Sequence, residues 1–345
     1  AKQLRQHSTY PFIVDETSIC YVSFNKDEGK KLIWLASRIE VLSSIYNEES
    51  QTAYLKLKIQ TKFGDKETIV EKSVFTSRRI DELRKFGVDF DSKHTAKLIK
   101  FFVISEQNVP AVSYYTNCGW NEQGNFCGFD EGYKGPLNLS IHQNSADYLS
   151  SLNKLIKNSP GCQLMVSASL SSASLALLQS QLHTDTVMFH FFGDSSQGKT
   201  TGLQLASSVW GSPELGESTF LSWNATSNSV LSALNGNFGV SMCFDESGAI
   251  AKRDYTNLIY CISQGVDRAR LTKDSERKMA KRWNTVVLST GESSLLDASN
   301  QNSGLRARVL EFLNLPITKS ASHAEKIKTL AYSNYGILGR QLVET

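Results

Sequence analysis

The octapeptide Gly193–Thr200 constrains the fold of this chain more than any other feature of its sequence. It reads Gly-Asp-Ser-Ser-Gln-Gly-Lys-Thr and fits the pattern G-x-x-x-x-G-K-[ST] at every position. An apolar run, Val187–Phe192, precedes it, and an amphipathic segment, Thr200–Trp210, follows it. A strand, a glycine-rich turn and a helix in this order form a loop whose backbone N–H groups surround phosphate oxygens. The sequence therefore predicts an α/β fold with a phosphate-binding loop.

Each residue of this loop has a predicted role in binding ATP with Mg²⁺. The Lys199 ammonium is expected to reach the β- and γ-phosphates, and the Thr200 hydroxyl is expected to bind Mg²⁺. The other predicted nucleotide contacts are Gly193, Asp194, Ser195, Ser196, Gln197, Gly198 and Thr201. The competing interpretation is a chance glycine-rich turn before a helix, which does not explain why strand, motif and helix occur in register.

A second apolar run supplies the acidic residues that such a loop requires. Val240–Phe244 is typical of a buried strand and is followed directly by Asp245 and Glu246. Ligands of open α/β sheets bind at the carboxyl ends of the strands. Asp245 is therefore predicted to position Mg²⁺, mainly through its water shell, and Glu246 to activate the attacking water. Ordinary strands also end in acidic residues, but the adjacent glutamate favours hydrolysis over phosphoryl transfer to a small acceptor.

Two further segments contain candidate catalytic residues. Thr285–Ser289 is typical of another strand, and Thr290, or Ser289 one position earlier, is placed to sense the γ-phosphate. Arg306 and Arg308 lie in a hydrophobic segment, and either could act as an arginine finger for a neighbouring subunit. Alternation along a strand would put both arginines on one side, so periodicity does not choose between them. A strand-capping hydroxyl and a surface salt bridge are the simpler alternatives.

Positive charge is concentrated between the predicted strands Val240–Phe244 and Thr285–Ser289. The whole chain carries only +3, so the concentration is local. Basic side chains bind nucleic-acid backbones, and we expect DNA contacts in this interval; a solvated helical face is the competing interpretation. The four candidate contacts are Arg268, Arg270, Lys273 and Arg277, and Lys278, Lys281 and Arg282 complete the cluster.

The order of the predicted elements defines two domains. Strand and helix patterns alternate after residue 140, which is typical of a central parallel sheet with flanking helices. Residues 1–140 combine short β-rich segments, including a hairpin around Phe63–Lys66, with two helical runs. We therefore predict an α/β P-loop NTPase domain at 141–345, preceded by a smaller α+β domain at 1–140. The smaller domain is expected to bind DNA or a partner, or to support oligomerisation.

Cysteine usage and hydropathy indicate the surroundings of the protein. Six widely spaced cysteines without a Cys-x-x-Cys pair indicate reduced thiols and a cytoplasmic location. The longest apolar stretches are shorter than the roughly 20 residues that a membrane span requires. No membrane partner is expected. The chain begins at Ala1 rather than Met, which suggests a fragment of something longer.

Taken together, these motifs resemble a known family. Pro160–Gly339 is similar to an uncharacterised bacterial family of helicase-like ATPases of phages, plasmids and other mobile elements, and to the MCM-like Cch helicases of staphylococcal cassette elements. Gly119-Trp120 extends the resemblance into the N-terminal half. The landmarks are Phe191-Phe192-Gly193, Trp223-Asn224-Ala225-Thr226, Phe244-Asp245-Glu246, Trp283, Leu288-Ser289-Thr290-Gly291-Glu292, the Arg308 segment and Tyr335-Gly336.

This resemblance implies an AAA+ ring ATPase, a homo-hexamer, that couples ATP hydrolysis to movement on single-stranded DNA held by a basic hairpin. It favours Arg308 over Arg306 as the finger. The chain ends soon after Gly336, without room for the winged-helix domain expected at the C-terminus of such helicases. A regulatory AAA+ switch that controls a partner without unwinding, and a small-molecule kinase, are the alternatives.

Overall fold

Two compact units make up the chain, Ala1–Tyr115 and Thr116–Thr345. The computed structural model describes residues 9–25, 29–247, 256–267, 280–297 and 303–345. The units divide earlier than the boundary expected near residue 140, because the intervening segment packs within the second unit. Leu137 and Leu139 belong to the core of that unit.

The described residues of the N-terminal unit form two sheets and one α-helix. The elements are β1 (Phe12–Val14), β2 (Ser18–Asn25), β3 (Gly29–Ser37), β4 (Ile39–Asn47), β5 (Thr52–Thr61), β6 (Gly64–Glu71), α1 (Thr95–Glu106) and β7 (Ala111–Tyr114). A three-stranded antiparallel sheet has the order β1-β2-β3, and a four-stranded sheet has the order β6-β5-β4-β7, in which the β4–β7 pair is parallel. β5 and β6 form the hairpin that the sequence predicts.

The second unit alternates strands and helices over most of its length. Its elements are β8 (Cys118–Trp120), β9 (Phe126–Cys127), β10 (His142–Gln143), α2 (Tyr148–Ile156), α3 (Pro160–Leu182), β11 (Val187–Phe192), α4 (Lys199–Ser207), β12 (Phe220–Ser222), α5 (Ser227–Leu234), β13 (Asn237–Phe238), β14 (Met242–Asp245), α6 (Thr256–Gln264), β15 (Val286–Gly291), α7 (Ser303–Arg306), β16 (Val309–Leu313), α8 (Ala321–Ser333), β17 (Asn334–Tyr335) and α9 (Ile337–Glu344).

A five-stranded sheet forms the centre of this unit, with the order β12-β14-β15-β11-β16. Every neighbouring pair is parallel, which confirms the predicted parallel sheet. Its strands are largely apolar, as expected for strands covered on both faces. Because the strands run in one direction, β11, β14 and β15 all end at the same edge. The phosphate-binding loop, Asp245 and Thr290 therefore lie along that edge.

The long helix α3 packs in the core of the second unit. The expectation that every apolar stretch is too short to span a membrane is wrong for Pro160–Gln179, which is long and apolar enough by length and composition, but half of that stretch is buried. Its serines also bond to the surrounding backbone: Ser169 Oγ donates to Ala206 O at 2.8 Å, and Ser172 Oγ donates to Gly239 O at 2.7 Å. These contacts satisfy buried hydroxyls on the helix, as a core helix requires.

Candidate nucleotide-binding site

The Gly193–Thr200 segment forms a loop between β11 and α4. Backbone φ is positive at Gly193 (119°), Ser196 (67°) and Gly198 (80°), so the chain turns sharply at three points. Gly198 is the N-cap of α4, whose helix begins at Lys199. The first N–H groups of a helix lack intrahelical partners, and its dipole is positive at this end. The loop therefore has the backbone that an anion-binding site requires.

The Lys199 side chain folds back into this loop. Its Nζ donates to the carbonyl oxygens of Gly193 at 2.9 Å and Asp194 at 2.5 Å. The ammonium group thus lies beside the backbone that would surround a phosphate, where its charge is available to a bound anion.

Asn314, in the segment after β16, braces the loop. Its Oδ1 accepts a hydrogen bond from Asp194 N at 2.8 Å, and its own N–H donates to Phe192 O at 2.8 Å. A Cβ atom at Gly193 would lie 2.0 Å from this Oδ1, so only glycine fits there. No local pattern in the sequence marks Asn314 as part of this loop. The same segment makes two more bonds to the loop, from Ile317 N and Thr318 N to Gln197 O.

Asp245 and Thr290 meet at the sheet edge. Thr290 Oγ1 donates a hydrogen bond to Asp245 Oδ1, and both residues are buried. Ser289, the other candidate at this position, points to the opposite face, as alternation along β15 requires. Glu246 follows Asp245 with an exposed side chain and a φ of 62°, which turns the chain away from β14.

A buried histidine lies on the other face of the same strands. His190 Nδ1 is 2.9 Å from Ser289 Oγ, and its Nε2 is 3.0 Å from Ser293 O. Trp223 Nε1 donates to Ser289 Oγ at 2.9 Å. Burial lowers the pKa of His190, a charge on Lys199 acts in the same direction, and Glu311 acts against them. His190 is a single polar residue in an apolar strand, so no sequence motif marks it.

The two candidate arginines do not share a strand. The expectation that they alternate along one strand is wrong, because Arg306 ends helix α7 and Arg308 lies just before β16. Arg308 Nη1 donates to Gly304 O at 2.7 Å, and the guanidinium carbon lies 5.5 Å from the Tyr260 ring centroid.

Arg308 lies at the amino-terminal end of the strands, whereas the loop follows their carboxyl ends. Its carbonyl accepts from Met188 N at the start of β11, whereas the loop follows the end of that strand. At about 3.3 Å per residue, the span from Met188 to Gly193 is about 17 Å. Arg308 is therefore placed away from the nucleotide loop of its own chain.

The candidate DNA contacts Arg268, Arg270, Lys273 and Arg277 lie outside the described residues. The segments on either side of this interval pair with each other: Val266 bridges Arg282 in antiparallel fashion, and Asp267 N donates to Lys281 O at 3.0 Å. The chain thus enters and leaves the interval on adjacent backbones.

The oxygen donors near the loop fit a magnesium ion. In the part of the chain that the structure describes, no group of three or more His, Cys, Asp or Glu side chains could enclose a metal. Mg²⁺ is ordinarily held by one or two carboxylates together with substrate phosphates and waters. Asp245 offers a carboxylate at the sheet edge, and Thr200 offers an exposed hydroxyl in the first turn of α4.

The parallel sheet, the loop between β11 and α4, and the Thr290–Asp245 pair define a P-loop α/β protein. The chain belongs to the family described as a domain of unknown function, DUF927, whose sequence model matches residues 12–282. No curated protein matches the chain.

Among solved structures, the chain is similar to Cch of SCCmec type IV, described as an active helicase. The two are 26% identical with a TM-score of 0.74, over 97% of this chain and 64% of that one. The chain thus spans less than two thirds of the length of that helicase. The resemblance to Cch that the sequence motifs indicate is confirmed.

Proposed function

We propose that this chain is the ATP-hydrolysing part of an AAA+ motor that moves on DNA, most simply a helicase of a mobile genetic element. The observation that carries the proposal is that the Lys199 loop and the Thr290–Asp245 pair lie along the same edge of the parallel sheet, at the carboxyl ends of its strands. The likeness to an active helicase supports motor activity on DNA.

In this proposal, bound ATP with Mg²⁺ supplies the phosphoanhydride bond that is cleaved. The loop N–H groups and the Lys199 ammonium hold the phosphates. The Thr200 hydroxyl would bind the metal ion directly, and the Asp245 carboxylate would position it mainly through its water shell. Glu246, exposed beside Asp245, takes a proton from the attacking water. Asp194, Ser195, Ser196, Gln197 and Thr201 complete the nucleotide contacts.

Thr290 would couple the nucleotide to the metal site. The strand that carries it lies between the loop strand β11 and the Asp245 strand β14, which is the place of the γ-phosphate sensor in an AAA+ sheet. Its hydroxyl bonds to Asp245 in the described structure and would turn toward a γ-phosphate when nucleotide is bound. This arrangement supports the AAA+ assignment over a small-molecule kinase.

The position of Arg308 supports shared sites in a ring. Because it pairs with the start of β11, about 17 Å of strand before the loop of its own chain, it is placed to act on a nucleotide in a neighbouring copy. An arginine supplied in this way stabilises the charge that develops in phosphoryl transfer. We therefore propose a homo-oligomeric ring, a hexamer, with Arg308 rather than Arg306 as the finger.

DNA is proposed to contact the basic interval around Arg268, Arg270, Lys273 and Arg277. The pairing of Val266 with Arg282 supports a hairpin that begins there, and its charge suits the backbone of single-stranded DNA. The six cysteines form no disulfides, which suits the reducing cytoplasm.

Two substitutions separate nucleotide binding from hydrolysis. We expect Lys199→Ala to lose both, because the ammonium lies within the loop. We expect Glu246→Gln to retain nucleotide affinity and to lose at least about 100-fold in turnover, the usual effect of removing a general base. Lys326→Ala, an exposed charge on α8, is the control for a lost positive charge.

Nucleotide affinity and steady-state ATP turnover measured on the same preparations decide between the outcomes. Wild-type turnover in Glu246→Gln would refute the hydrolytic role of this residue. Turnover that responds to a protein partner and not to DNA would support the regulatory switch instead.

A further inference from the structure

A row of polar residues crosses the central sheet one position before Thr290. In the sheet register, His190 pairs with Ser289 on one side and with Glu311 on the other. His190 and Ser289 are fully buried. A parallel sheet covered on both faces is ordinarily apolar throughout, and a buried polar group costs free energy unless it is hydrogen-bonded. Packing alone therefore does not account for this row.

The hydrogen-bond partners of His190 and Ser289 show which of their atoms carry protons. A carbonyl only accepts, so the His190 Nε2 that lies 3.0 Å from Ser293 O carries the proton. In a neutral ring Nδ1 then accepts from the Ser289 hydroxyl at 2.9 Å. The indole of Trp223 only donates, and Ser289 Oγ accepts from it. Every donor and acceptor of the neutral histidine is used, which rigidifies a buried network.

Glu311 holds the same segment from the neighbouring strand. Its carboxylate accepts from Ser294 Oγ at 2.7 Å, Leu295 N at 2.7 Å and Leu296 N at 3.2 Å. The segment that leaves β15 is thus anchored to β11 through Ser293 and to β16 through the residues that follow. Thr290 lies three positions before Ser293, so its place beside Asp245 depends on where this segment is held.

We propose that His190 is a positioning residue for Thr290. Its ring accepts a hydrogen bond from the Ser289 hydroxyl and donates one to the Ser293 carbonyl, and so fixes the carboxyl end of β15 against the strand that carries the nucleotide loop. This inference rests on the proposed function, since Thr290 matters only if the site hydrolyses nucleotide. His190 acts through β15 and is not itself a catalytic residue.

Three substitutions of His190 dissect the two hydrogen bonds. His190→Leu removes both. His190→Asn places an amide oxygen near the position of Nδ1, and His190→Gln places an amide N–H near the position of Nε2. We expect His190→Leu to lower kcat about 10- to 100-fold, the range for a small misplacement of a reacting group, with nucleotide Kd changed less than about threefold. We expect His190→Gln to recover most of the turnover, because it keeps the anchor at Ser293, and His190→Asn to recover less.

A control variant on the same strand distinguishes a specific loss of kcat from a general loss of stability. Met188→Val alters a fully buried side chain two residues earlier; we expect lower thermal stability and an unchanged kcat. Hydrogen exchange supplies a readout that does not need turnover, because loosening raises exchange where anchorage is lost. We expect faster exchange over residues 286–297 in His190→Leu than in Met188→Val.

The outcomes distinguish this inference from the function on which it rests. Wild-type kcat in His190→Leu, an equal loss of kcat in Met188→Val, or no recovery in His190→Gln would each overturn the positioning role. If the wild-type chain turns over no ATP while its nucleotide affinity is insensitive to Lys199→Ala, the proposed function itself fails.

Discussion

Replacing Thr290 by valine removes one hydrogen bond from the candidate site and little else. The two side chains are β-branched and similar in volume, so the packing of β15 should persist. Thr290 is 1% exposed and Asp245 is 8% exposed, so water has little access to replace the lost donor. A hydrogen bond to a charged group contributes about 1.5–3 kcal/mol, and each 1.36 kcal/mol changes a rate about tenfold. If Thr290 acts in the transition state, turnover should fall about 10- to 150-fold.

The assay compares kcat with nucleotide affinity for Thr290→Val and Thr290→Ser. The serine variant keeps the hydroxyl and should keep most of the activity, whereas affinity should change little in either. Thr285→Val is the matched control: it removes the buried hydrogen bond from Thr285 Oγ1 to Val240 O, 2.6 Å long, near the start of the same strand. Wild-type turnover in Thr290→Val, or an equal loss in Thr285→Val, would show that the Thr290 hydroxyl has no specific role in turnover.

Three further predictions test the loop, the shared site and the metal. Gly193→Ala should abolish nucleotide binding, because its Cβ would collide with Asn314 Oδ1; Gly216→Ala, with a similarly positive φ of 89° but nothing within 4 Å, should leave binding intact. A mixture of Arg308→Ala and Glu246→Gln subunits should show ATP turnover that neither variant has alone, because some interfaces then combine an intact Glu246 with an intact Arg308. Strictly additive activities would argue against shared sites. Chelation of Mg²⁺ should stop turnover and leave the circular dichroism spectrum unchanged, and a loss of secondary structure would show that the metal supports the fold.

The sequence predicts the central sheet well because its strands are short apolar runs joined to a specific motif. β11 has the predicted bounds, Val187–Phe192. The predicted strand at Val240–Phe244 shifts to Met242–Asp245, since Asp245 itself pairs with Ser222 in β12. Strand direction then follows from the alternation with helices, and places the loop and Asp245 at one edge.

Features that depend on contacts between residues distant in the chain could not be predicted from the sequence. Asn314 bonds to a loop residue 120 positions earlier, and His190 bonds to Ser289, 99 positions away. The arginine segment was predicted as one strand, but a short helix ends at Arg306 before β16 begins. Hydrophobic periodicity over so few residues does not separate a helical turn from a strand.

Movement on DNA is tested by the dependence of ATP turnover on single-stranded DNA. In a titration of the wild-type chain with a single-stranded oligonucleotide, with Lys199→Ala as the blank, we expect turnover to rise severalfold and to saturate. Stimulation should weaken as salt concentration increases, because basic side chains that bind phosphates release counterions. Wild-type turnover that is the same with and without DNA would contradict the assignment of this chain to a DNA motor.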